Sequence, residues 1–112
     1  FRYIPADKMP ADYSRWQDRI DAVLRALAEQ GLALEINTSG VRQPGCGITH
    51  PNLPIVRRFR ELGGERITIG ADAHRPADVG ADLETAAAIA KEAGFRYQAI
   101  FFGGKAEMLP LA

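Results

Sequence analysis

The chain has 112 residues, 46% of them hydrophobic and 25% charged, a composition that supports one small core rather than two. Fourteen Lys and Arg balance fourteen Asp and Glu, so no long-range field draws the chain to nucleic acid or to an acidic membrane, and anion binding must be local. Cys46 is the only cysteine, which excludes an internal disulfide and a CxxC metal clip and suits a reducing cytoplasm. The apolar stretches fall well short of the ~20 residues of a membrane span, and Phe1-Arg2-Tyr3 does not open a signal peptide.

Taken in chain order, Trp16, Ile20, Val23, Leu24 and Leu27 recur at helical spacing between Asp12 and Gln30 and are expected to form a core-facing stripe. Asp12 or Ser14 is placed to cap this helix and Gly31 to stop it. Leu32 to Ile36 reads as a short strand. Asn37 to Thr49 is a Gly- and Pro-rich loop, longer than the ~12 residues at which loops become suspect as functional. A second helix is predicted from about Asn52 to Leu62, with Pro54 in its first turn, Leu53, Val56, Phe59 and Leu62 on one face, and Gly63-Gly64 as its end. Arg66 to Gly70 reads as the second strand, Asp82 to Ala93 as the third helix, and Tyr97 to Phe102 as the third strand. Helices alternating with short strands predict an α/β fold with three parallel strands joined by crossovers.

Strand parity divides the residues between two faces. Leu32, Leu34 and Ile36 share one side of the first strand, and Ala33, Glu35 and Asn37 the other. Ile67 and Ile69 oppose Thr68 and Gly70 and, if the extended run continues, Asp72 and His74. A strand buried between two helix layers is apolar throughout, whereas a barrel strand opening into a cup at its C-terminal end shows this split. Asp72 and His74 thus form Asp-Ala-His directly after a strand, at the end where α/β sites gather, and both are good ligands for a divalent metal.

Residues 68 to 80 read TIGADAHRPADVG and residues 34 to 42 read LEINTSGVR, with a helix and a strand between them. Together with KEAGF at Lys91 to Phe95, they resemble the C-terminal motifs of the histidinol phosphatases of the PHP family, from about Leu32 onward. The resemblance implies the C-terminal part of a distorted PHP-type (β/α) barrel with parallel strands, residues 1–112 being a fragment of a single PHP domain. It implies a cytoplasmic, metal-dependent phosphatase of histidine biosynthesis, acting on a small phosphorylated substrate through a cluster of zinc, manganese or iron. Asp72 and His74 would be its last two metal ligands, holding a water made nucleophilic by the metal. Arg42 and Arg75 occupy positions matching the family's phosphate-binding arginines, a task that suits the guanidinium fork. Glu35 is expected to orient metal ligands or to meet the substrate's amine, while Asn37, Thr38 and Ser39 shape the loop.

His50 reads as a structural or exposed histidine, and Cys46, with no His or Asp partner apparent in sequence, as an inert thiol. The family's opening His-x-His, its middle glutamate and its intermediate histidines are absent. Two ligands do not complete a catalytic site, which takes three per zinc, and three βα units do not close a barrel of about 250 residues. The start at Phe1 rather than Met is therefore read as that of a fragment. The chain alone is expected to be inactive, to bind metal weakly, and to pair with the missing N-terminal part or with itself through open sheet edges. The alternatives are a PHP phosphoesterase acting on another small phosphate ester or a nucleic-acid end, and a non-catalytic module that keeps the fold. Balanced charge speaks against the nucleic-acid substrate.

Overall fold

The computed structural model describes residues 14–111. A short 3-10 turn, Ser14–Trp16, leads into α1 (Gln17–Glu29), followed by β1 (Leu34–Asn37), α2 (Ser39–Arg42), α3 (Leu53–Glu61) and β2 (Ile67–Gly70). A second 3-10 turn, Pro76–Asp78, precedes α4 (Leu83–Glu92), β3 (Tyr97–Phe102) and β4 (Lys105–Pro110). The helix predicted at Asn52 forms with Asn52 as its N-cap, whose side chain accepts from the Ile55 amide, and Gly63 closes it with φ +97°.

β1 and β2 pair in parallel, Leu34 with Ile67, Glu35 with Thr68, Ile36 with Ile69 and Asn37 with Gly70. Parity then acts as expected. Ile36 and Ile67 are fully buried against Leu24, Val56, Phe59, Ala86 and Ala90, while Glu35, Asn37, Thr68 and Gly70 take the opposite face. Helices α1, α3 and α4 pack in sequence as one layer, with α4 resting on β2. Phe59 and Phe95 stack at 6.3 Å at the heart of that layer. Gly64 lies so close beneath Phe59 that a Cβ there would come within 2.5 Å of the ring, which explains the second glycine of the Gly63-Gly64 pair.

The expected third parallel strand is corrected. β3 lies beside β2, but its ladder runs antiparallel to β4, from Tyr97 opposite Pro110 to Phe102 opposite Lys105. Gly103 and Gly104, both at positive φ, make the two-residue turn whose twist suits a hairpin, so β3 pairs with the strand that follows it directly. The two sheets therefore have two strands each among the described residues.

The first helix also departs from expectation. Asp12 lies outside the described residues; the N-cap is Trp16, without a side-chain capping bond, and Ser14 belongs to the preceding turn. Trp16 and Val23 are exposed, Val23 at 61%, while Asp21 and Leu24 are buried with Ile20, Leu27 and Ala28 packed beside them. At about 100° per residue Val23 falls on the flank of the face centred on Leu24.

Candidate functional site at the strand rim

Asn37 and Gly70 are partners in the β1–β2 register, so the loops that follow the two strands start side by side. The Thr38 amide continues the ladder to the Gly70 carbonyl at 2.9 Å. The Glu35 carboxylate lies over Gly70, where an added Cβ would sit 3.2 Å from it. Asn37 Nδ2 donates to Glu35 Oε1 at 3.1 Å, and Asn37 Oδ1 accepts from the Ser39 amide at 2.9 Å. Thr38 is fully buried and donates from Oγ1 to the Ala81 carbonyl at 2.8 Å, tying the β1 loop to the segment before α4. The shaping of the loop by Asn37 and Thr38 is thus direct hydrogen bonding.

The long loop is not structureless. It contains α2, and His50 returns to Asn37 as an antiparallel bridge with bonds of 2.9 and 3.0 Å. Cys46 Sγ lies 3.6 Å from His50 Nε2, so the thiol has an imidazole neighbour four residues on. His50 is half-buried.

Asp72 and His74 stand on the exposed side of the rim. Asp72 has φ +50°, a left-handed conformation that aspartate tolerates better than most residues. His74 Nδ1 is 2.9 Å from the Asp72 carbonyl. A carbonyl only accepts, so Nδ1 carries the proton and the lone pair of the neutral ring lies on Nε2, the arrangement of a ligating histidine whose other nitrogen is anchored. The side chains are 33% and 67% exposed, with Asp72 Oδ1 3.9 Å from the ring. Their donor chemistry fits a divalent metal; their number does not suffice. No group of three or more His, Cys, Asp or Glu able to hold a metal occurs among the described residues.

Arg42 and Arg75, the two arginines expected to hold phosphate, meet a common carboxylate, that of Asp78. Arg42 donates from Nη2 to the Ala71 carbonyl at 2.8 Å and from Nη1 to the Thr38 carbonyl and hydroxyl at 3.5 and 3.4 Å. It also faces Asp82 at 3.5 Å and Asp78 at 3.7 Å. Arg75, whose side chain is 75% exposed, reaches the same Asp78 at 3.2 and 3.4 Å. Asp78 and Asp82 were passed over in the sequence. The three-residue spacing of Arg75 and Asp78 was their signal, but across irregular backbone such spacing does not imply contact. Two clefts border other parts of the surface, one lined by residues such as Val41, Leu53 and Ile89 and the other by Phe95, Tyr97 and Met108. Among the described residues, neither of these clefts includes Asp72 or the two arginines.

These elements define a class: an α/β segment with apolar strand faces under one helix layer and a C-terminal rim bearing carboxylate, imidazole and guanidinium groups. The chain is homologous to the histidinol-phosphatases over most of its length. It is 35% identical over 96 residues to a probable histidinol-phosphatase of Thermotoga maritima, covering 86% of this chain and 40% of the relative. With the histidinol-phosphatase of Lactococcus lactis it shares 34% identity over 104 residues, covering 93% of this chain and 38% of the relative. The crystal structure of the histidinol phosphate phosphatase from L. lactis, in complex with zinc, L-histidinol and phosphate, superposes with a TM-score of 0.67 at 29% identity. That match covers 86% of this chain and 36% of the solved one. The chain spans about two fifths of the length of these relatives. No family model matches it.

Proposed function

We propose that the polypeptide carrying this chain is a metal-dependent histidinol phosphatase, and that this chain supplies part of its active-site rim. The observation that carries the reading is the likeness, over 86% of this chain, to a solved phosphatase holding zinc, L-histidinol and phosphate, together with a metal-competent Asp72–His74 pair on the same rim as two arginines. Asp72 Oδ and His74 Nε2 would hold a divalent metal with donors from outside this chain. When bound, such a metal supplies a water of near-neutral pKa and polarises the phosphoryl oxygens. The Asp72 carbonyl, by accepting from Nδ1, would leave Nε2 as the ligating nitrogen. Arg42 and Arg75 bind the phosphate oxygens and hold the ester in place for attack. Glu35, held by Asn37 on the strand face away from the core, offers a carboxylate to the substrate's amine or to a metal-ligating side chain.

The test is phosphate release from histidinol phosphate by the full polypeptide with and without zinc, beside the 112-residue chain alone. Zinc-dependent release by the full polypeptide and none by the chain alone is the expected result. A full polypeptide that binds zinc and leaves histidinol phosphate intact overturns the substrate, and turnover by the chain alone overturns the shared site.

A further inference from the structure

The two arginines are anchored very differently. Arg42 is 23% exposed and keeps contacts to Thr38, Ala71 and Asp82 without Asp78. Arg75 is mostly exposed, and among the described residues Asp78 is its only side-chain partner. Asp78 itself is only 17% exposed, and its backbone is fixed on both sides: its amide donates to the Arg75 carbonyl and its carbonyl accepts from the Ala81 amide, each at 3.0 Å. A rigid carboxylate therefore holds a long side chain that otherwise has many rotamers to lose on ordering. The same Oδ1 that faces Arg42 Nε at 3.7 Å also meets Arg75 Nη2 at 3.4 Å, so one carboxylate gathers both guanidinium groups on the rim.

We infer that Asp78 is a positioning residue for phosphate recognition, holding Arg75 beside Arg42 before substrate arrives. The inference rests on the proposed phosphatase reading for its substrate and on Arg75 for its mechanism. Preorganising Arg75 lowers the entropy lost on binding the phosphate, so the effect falls on KM more than on kcat. The pair is partly exposed, which limits the effect to about twofold to fivefold.

The experiment uses the zinc-loaded full polypeptide and histidinol phosphate. Asp78→Asn should raise KM about twofold to fivefold with a smaller change in kcat, Asp78→Glu should recover part of the loss, and Asp78→Asn should add nothing in an Arg75→Ala background. An equal rise with and without Arg75, an unchanged KM, or a lower KM from removal of a competing carboxylate would each overturn the inference. If the wild type does not turn over, the functional reading fails, and the positioning is judged by the arginine Nε–H signals in 15N-resolved spectra. Slow solvent exchange at Arg75 that becomes fast in Asp78→Asn, with Arg42 unaffected, supports it; fast exchange at Arg75 in the wild type refutes it.

Discussion

Between α1 and α3, Arg58 and Asp21 meet through two parallel bonds of 2.9 and 2.8 Å; at the rim, Arg42 faces Asp78 and Asp82 at 3.7 and 3.5 Å. The first is a closed pair. Asp21 is almost wholly buried, also accepts from Gln17 at 2.7 Å, and has its carboxyl drawn from an ordinary 3.8 to about 2, chiefly by Arg58 and then by Gln17. At the rim the one short bond of Arg42 goes to a backbone carbonyl, and its carboxylates stand at the longer distances of loose ion pairs. A closed fork holds two helices together, whereas a loose one leaves donors that an incoming phosphate can take up with little rearrangement.

The sharpest way to test this division is to remove the groups that neither assembly contains. In the full polypeptide, Asp72→Ala and His74→Ala should each lower zinc content and turnover by about 100-fold or more, since loss even of groups that support ligands costs 10–100-fold. Zinc retained at the wild-type level in both variants, measured by elemental analysis, would remove the pair from the metal site.

Arg42→Ala and Arg58→Ala then compare the two assemblies directly. Loss of a charge-assisted phosphate contact should raise KM about tenfold or more in Arg42→Ala while zinc content holds. Arg58→Ala should lower Tm with KM unchanged, because its loss strands Asp21 between the helices. If the kinetic and thermal effects exchanged places, the distinction between closed and loose forks would fail.

Acid titration gives the smallest effect and a definite sign. The folded pKa of Asp21 is depressed, so its stabilisation is complete above about 4 and fades as pH falls from there towards 2. In thermal melts across that window the wild type should lose its advantage over Asp21→Asn. A gap that stays constant from pH 5 to pH 2 would show that Asp21 is not held as a carboxylate by Arg58.

Although the extended run did not continue through Asp72, whose φ is +50°, the position of Asp-Ala-His after β2 was legible, as were the helix at Asn52 and the two faces of β1 and β2, because each is local: a motif following a strand, a cap, a two-residue period. The partner of β3 was not, although Gly103-Gly104 is a hairpin signal; alternation of helices and strands argued for a crossover, and Lys105–Pro110 carries too few β-branched residues to announce a strand. Val23 was misplaced because hydrophobicity marks a stripe but not its centre. Asp78 and Asp82 became visible only when tertiary contact brought Arg42 to them.

Gly40 carries a consequence for how Arg42 moves. A Cβ at residue 40 would collide with the Ile48 carbonyl and come within 2.7 Å of the His50 ring, so α2 is pressed directly onto the returning strand. Gly47 donates to the Gly40 carbonyl at 3.0 Å, and His50 and Asn37 close the loop with two reciprocal backbone hydrogen bonds. Residues 37–50 should therefore behave as one cooperative unit in amide hydrogen exchange, with Asn37, Gly47 and His50 opening together rather than one by one. Arg42 is carried on that unit, so opening of the loop takes its guanidinium away from Ala71 and Asp78.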